Sequence, residues 1–190
     1  TGIKKLRAAI FISGNGSNMK NLVKFSKKKN SPIMVDFVLS SNKNANGIHY
    51  LKKKKINFKI FDLNEKSKDE EKILKILKKR KIRLICLAGF MKILSGSFVK
   101  KFKGKILNIH PSLLPKYKGL NTHKRVLLNK EKFSGCTVHI VNSKLDSGKI
   151  IMQKKVRIIK KDNPQTLSNR ILKQEHLLYP KAVKKLLSKF

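Results

Sequence analysis

The chain has 190 residues and 40% hydrophobic content, which suits one globular domain with a sizeable core and excludes a disordered chain. No apolar run approaches the roughly 20 residues needed to cross a bilayer, and Thr1 to Ile12 is too short for a signal peptide and lacks a small-residue cleavage site, so a cytoplasmic protein free of membrane is expected. The net charge of +37 raises nucleic-acid binding, but the excess is mostly Lys spread over nearly every segment, whereas such a site gathers Arg and aromatics in one patch; compositional bias is preferred, with faster arrival of anionic substrates as a side effect.

Ala8 to Ile12 predicts a short buried strand, and Asn18 to about Lys28 a helix with Met19, Leu22, Val23 and Phe25 on its apolar face. Strands over Val35 to Leu39, Phe58 to Phe61 and Leu84 to Ala88 alternate with helices over Ala45 to Lys54 and Lys68 to Arg80. That alternation argues for a parallel sheet with crossover helices. After Gly89 the pattern changes: a strand at Ile106 to Ile109, a Pro-punctuated loop from His110 to Gly119, and a helix from Thr122 to Leu128. Two strands, Thr137 to Val141 and Ile150 to Ile159, follow with no helix between them, so this half is expected to be antiparallel in part. Asn163-Pro164 opens a last helix that is expected to pause at Tyr179-Pro180 and resume to Leu187. No repeat or linker divides residues 1–190, so a single domain is expected. Cys86 and Cys136 sit in apolar or β-like runs with no CxxC pair and no evident base, which predicts two reduced, partly buried thiols.

Ser13-Gly14-Asn15-Gly16-Ser17-Asn18 lies between the first strand and the first helix. Glycines there allow a sharp turn and close approach to a ligand, and the helix N-terminus favours an anion. Met19 stands where a dinucleotide fingerprint needs Gly, and the Gly-Lys-Ser/Thr of a Walker loop is absent. A small phosphate, such as a sugar phosphate, is therefore expected; the competing reading is a tight turn capped by Ser17 or Asn18.

Strand alternation sends Asn108 and His110 to the same side at a strand end, ahead of Pro111 and Pro115. Asp146, one of only ten acidic residues, sits in Leu145-Asp146-Ser147-Gly148 between the two late strands. A carboxylate near an imidazole raises its pKa and relays protons, yet Asp-x-Gly is equally a plain turn and His110 alone equally a structural histidine. The five histidines lack metal-ligand spacing, so no metal is expected.

These segments, with Leu87 to Leu94 and Gln174-Glu175-His176, resemble in order the glycinamide ribonucleotide formyltransferase family of purine synthesis. The Asn-x-His-Pro-Ser-Leu-Leu-Pro run is shared with other folate-dependent formyltransferases, and the Gly-Asn-Gly-Ser-Asn loop narrows the resemblance. It implies a Rossmann-like α/β fold, a mostly parallel sheet flanked by helices with antiparallel strands in the C-terminal half. It implies transfer of a formyl group from 10-formyltetrahydrofolate, as co-substrate, to the amine of 5-phosphoribosylglycinamide. It assigns Asn108, His110 and Asp146 to catalysis, Gly16, Ser17 and Asn18 to the substrate phosphate, and Glu175 to the glycinamide substrate. Met91, Lys92, Ile93 and Leu94 would line the folate pocket, with Asn108 also in contact and Lys68 as a basic candidate. Lys92 stands where the family usually has Arg, and the end near Phe190 implies a reduced C-terminal tail.

The partners so implied are two small molecules, with no specific nucleic acid, no membrane, and monomer or homodimer left open. Two rivals are a formyltetrahydrofolate hydrolase or Met-tRNA formyltransferase, for whose extra domains 190 residues are expected to leave no room, and a basic nucleic-acid-binding module without chemistry.

Overall fold

A computed structural model describes residues 5–188; expectations placed on Thr1 and on Phe190 lie outside that range. The chain forms two compact units, one ending at Leu107 and one beginning at Asn108.

In the first unit β1 (Leu6–Ile12), β2 (Ile33–Ser40), β3 (Phe58–Ile60) and β4 (Leu84–Leu87) alternate with α1 (Ser17–Ser26), α2 (Gly47–Lys53) and α3 (Lys66–Lys79). The strand order is β3-β2-β1-β4, followed by the start of β5 (Lys105–His110). β1 pairs in parallel with both β2 and β4, and β2 in parallel with β3. Ala8 to Ile12 are fully buried, as are Leu84 to Cys86, which is why these strands read as unbroken apolar runs rather than as alternating ones. α1 buries Met19, Leu22, Val23 and Phe25, the stripe its spacing predicted.

The strand order reverses between β1 and β4, so the loops that follow these two strands lie side by side at the switch point where open α/β sheets bind ligands. Ser13 N donates to Gly89 O at 3.1 Å and Met91 N to Ser13 Oγ at 2.8 Å. A short helix, α4 (Gly96–Lys101), was not anticipated; its six residues bury only Phe98, too few positions to show a period. Its Ser95 cap accepts from Phe98 N at 3.0 Å, and Ser95 N donates to the buried Glu70 carboxylate at 2.8 Å.

In the second unit β5 continues to His110, and the order runs β5-β6-β7 with α5 (Thr122–Leu128), β6 (Phe133–Ile140), β7 (Ile150–Arg157) and α6 (Pro164–Leu187). β6 and β7 are antiparallel, in keeping with two strands joined without a helix, and their register slips between Val138 and His139. Gly135 is required in β6, where a Cβ would stand 2.1 Å from Lys154 O.

α6 runs unbroken through Pro180, against the expected pause. Leu178, Tyr179, Ala182 and Val183 are buried on both sides of the proline, so packing outweighs the one backbone hydrogen bond it removes. Among the described residues no helix is long and apolar enough to cross a membrane.

α6 begins with a capping box: Asn163 Oδ1 accepts from Gln165 N and Thr166 N, both at 2.9 Å, while Thr166 Oγ1 accepts from Asn163 N at 2.9 Å. Asn163→Ala should lower unfolding stability by about 1 kcal/mol in urea titrations. An unchanged midpoint would remove this cap from the account of α6.

Candidate functional site

The second unit gathers two of the expected residues around the carboxylate of a third. Asn108 and His110 come two residues apart on β5, and Asp146 from the turn between β6 and β7. Asp146 Oδ2 lies 3.3 Å from His110 Nδ1 and accepts from Gly119 N at 2.9 Å; Oδ1 accepts from Asn108 Nδ2 at 3.4 Å.

The turn that carries Asp146 is tightly built. Asp146 has a left-handed backbone (φ 45), and a Cβ on Gly148 would stand 1.7 Å from Ile140 O, so only glycine lets the turn close there. The Pro-rich loop is equally anchored. Thr137 Oγ1 donates to Ser112 O at 2.6 Å and accepts from Leu114 N at 3.1 Å, and Gln153 Nε2 donates to Leu114 O at 2.8 Å.

His110 is 5% exposed, and both of its ring nitrogens face acceptors. Nε2 lies 2.8 Å from Tyr117 O, a carbonyl that only accepts, so this nitrogen carries a proton. Nδ1 faces the Asp146 carboxylate. Only the imidazolium satisfies both contacts. Burial opposes that charge and is the larger effect: the pKa lies below the ordinary histidine value, although the Tyr117 carbonyl and Asp146 pull it up. The expected upward pull of Asp146 is therefore present but outweighed. Burial also works against the Asp146 charge, yet hydrogen bonds from His139 and Gly119 N and the nearby imidazoles prevail, and its pKa lies below the usual carboxylate range.

Sequence reasoning missed three neighbours. His139, 2% exposed on β6, places Nδ1 2.9 Å from Ile140 O, so Nδ1 donates. Its Nε2 lies 3.3 Å from Asn108 Nδ2 and 3.5 Å from Asp146 Oδ1. It accepts from the amide when neutral and donates to the carboxylate when protonated. A histidine inside a buried strand was the available signal, but the register slip beside it hides which face it takes. Tyr117 and Gly119 act through backbone groups, which residue type does not reveal. His123 is half-buried, and burial together with the neighbouring His110 charge lowers its pKa.

Glu175, on α6, is 7% exposed. Burial first, then the Glu175 charge, pushes the Cys136 thiol up to about 12, so this cysteine stays protonated and is no nucleophile at neutral pH. Cys86 is likewise buried and free of disulfide. No group among the described residues could hold a metal ion.

The first unit holds the remaining candidates. Gly16, rather than Ser17 or Asn18, is the N-cap of α1, with a left-handed backbone (φ 66). A Cβ on Gly16 would meet Met19 Cε at 2.8 Å and Gly47 Cα at 3.2 Å, whereas nothing lies within 4 Å of one on Gly14. Met91 and Ile93 are 74% and 63% exposed, Lys92 is exposed and Leu94 is buried. Met91 and Lys92 line a cavity of about 850 Å³ with Ser13, Asn42, Lys43 and Phe61. Lys68 is not part of that lining; it is exposed on α3 and pairs with Glu65 at 2.9 Å.

Residues 6–183 match the family model described as formyl transferase. The trifunctional purine biosynthetic protein adenosine-3 of Gallus gallus is 40% identical over 94% of this chain, which spans only 18% of that relative's length. The phosphoribosylglycinamide formyltransferase of Haemophilus influenzae is 36% identical over 94% of this chain and 85% of its own. The crystal structure of phosphoribosylglycinamide formyltransferase from Brucella melitensis superposes with a TM-score of 0.90 at 42% identity, covering 96% of each chain. With the family model spanning both units and a relative matched over most of its own length, the chain belongs to the formyl transferase family.

Proposed function

We propose that the chain, acting in the cytoplasm as one formyltransferase domain, transfers a formyl group from 10-formyltetrahydrofolate to the amine of 5-phosphoribosylglycinamide. The observation that carries this reading is the buried Asp146 carboxylate within 3.3 Å of His110 and 3.4 Å of Asn108. The names of the relatives supply the substrate.

The amine attacks the formyl carbon, the carbonyl oxygen gains negative charge, and the bond from carbon to folate N10 then breaks. Asn108 Nδ2 donates to the developing oxyanion by turning one of its two hydrogens away from Asp146 Oδ1 or His139 Nε2. His110 starts largely neutral, takes up the proton that the attacking amine sheds as negative charge develops beside it, and gives it back for N10 as the carbon–N10 bond breaks. Its Nε2–H reaches the oxyanion by leaving the Tyr117 carbonyl. Asp146 supports the charged ring and takes part, through water, in moving the amine proton toward N10.

The Ser13 to Asn18 loop binds the sugar phosphate, supported by a glycine N-cap on α1 and the open space over Gly14. Glu175 holds the glycinamide end. Met91 and Ile93 offer exposed apolar surface for the flat folate ring, beside the cavity that Lys92 lines. Lys92 gives a point charge where the family's Arg would give a fork.

Asp146→Asn keeps the shape and removes the charge. Turnover should fall by ~100-fold or more, the His110 pKa should fall further, and substrate binding should change much less. Near-normal turnover with an unmoved His110 titration by NMR would sink the catalytic role.

Gly16→Val should weaken binding of the phosphorylated substrate in calorimetry while leaving folate binding intact, because the side chain is strained at φ 66 and collides with Met19 and Gly47. Equal affinity in the folded variant counts against the phosphate loop.

Nucleic-acid binding driven by the +37 charge should be weak and largely gone near physiological salt, since counterion release is its only drive. Tight, sequence-selective complexes surviving that salt in a shift assay would favour the rival reading.

A further inference from the structure

The geometry points to Tyr117 as a positioning residue: clamped through its side chain by Glu131, Asn129 and Arg125, it aims its backbone carbonyl at His110 Nε2 and fixes the orientation and tautomer of that ring. This rests on the reading of His110 as the catalytic histidine.

Tyr117 has a left-handed backbone (φ 57), a conformation that an aromatic residue keeps only when its surroundings enforce it. Here they do so from every side. The hydroxyl donates to Glu131 Oε1 at 3.0 Å and accepts from Asn129 Nδ2 at 2.9 Å. The Arg125 guanidinium sits 5.4 Å from the ring centroid, and its Nη1 donates to Lys118 O at 2.6 Å, holding the next residue of the loop. Lys116 Nζ, just before Tyr117, donates to the same Glu131 oxygen at 2.9 Å. With the ring and both neighbours held, the carbonyl falls 2.8 Å from His110 Nε2.

The consequence is chemical. A carboxylate alone, at Asp146 Oδ2, favours the neutral tautomer with its proton on Nδ1. The Tyr117 carbonyl demands the proton on Nε2. No neutral tautomer satisfies both, so the ring is held ready to accept a second proton. Without the carbonyl, the Nδ1–H tautomer would satisfy Asp146 and that readiness would be lost. Tyr117 thus acts through His110 and need not touch substrate.

The test combines steady-state kinetics with ¹⁵N NMR of the His110 ring in the full chain. Tyr117→Phe removes both hydroxyl contacts, Glu131→Ala removes the acceptor, and Glu131→Gln keeps an acceptor oxygen. The first two should lower kcat by roughly 10-fold or more, leave KM for both substrates nearly unchanged, and move the ring from Nε2–H toward Nδ1–H. Glu131→Gln should stay near wild type. Unchanged kcat, or a lower kcat or Tm with an unmoved ¹⁵N pattern, overturns the positioning role. If Tyr117→Phe does not fold, Glu131→Ala and Asn129→Ala decide the matter by the same readouts. His110→Ala is the separating control: undiminished turnover there overturns the catalytic reading beneath the proposal, whereas lost turnover leaves the Tyr117 variants to test the proposal alone.

Discussion

The second unit is organised around the burial of one negative charge. Taking a carboxylate out of water costs several kcal/mol unless donors replace the water it loses. Asp146 regains donors from Gly119 N and Asn108 Nδ2, with His110 and His139 beside them. They come from three stretches of chain, so satisfying the charge also fixes β5, β6, the loop after β5 and the turn after β6 relative to one another.

His110 shows the same balance from the other side. Its burial favours the neutral ring, while two acceptors favour the charged one. Burial prevails at rest, and added negative charge beside the ring shifts the balance toward its charged form. A developing oxyanion is such a charge. The more exposed acidic residues have simpler partners: Asp36 lies between Arg7 and Arg80, and Glu131 binds Lys116 and Tyr117. Among the described residues, the ion pairs of Asp146 are with two histidines rather than with Lys or Arg.

The first unit meets a different demand with backbone. Its strand order places the ends of β1 and β4 together, and Ser13 ties the two following loops. Gly16 takes a left-handed turn in a space with no room for a side chain. A site made of amides and small residues suits a phosphate, whose charge is spread over several oxygens. The chain's +37 charge favours the approach of anions in general.

The sequence by itself determined the class of the fold and singled out Asn108, His110 and Asp146 as candidates for the chemistry. Apolar runs at Ala8 to Ile12 and Leu84 to Ala88 are long enough to mean buried parallel strands, and the two late strands lack the crossover helix that a parallel pair needs. Asn108, His110 and Asp146 stood out because of their spacing, their turn and the scarcity of acids. Local pattern ran out where distance and backbone direction decide. It could not reveal α4, too short for a period, or the unbroken α6, where burial on both sides of Pro180 overrides the proline. It could not choose between a turn and a site for Asp146, because the contacts that settle its surroundings come from residues 7 to 38 positions away. Nor could it find the Tyr117 carbonyl, since every residue has one and only the left-handed backbone at this position turns it toward His110. Side-chain chemistry is written in the sequence; which nitrogen faces which oxygen, and how far burial moves a proton, belong to the tertiary structure.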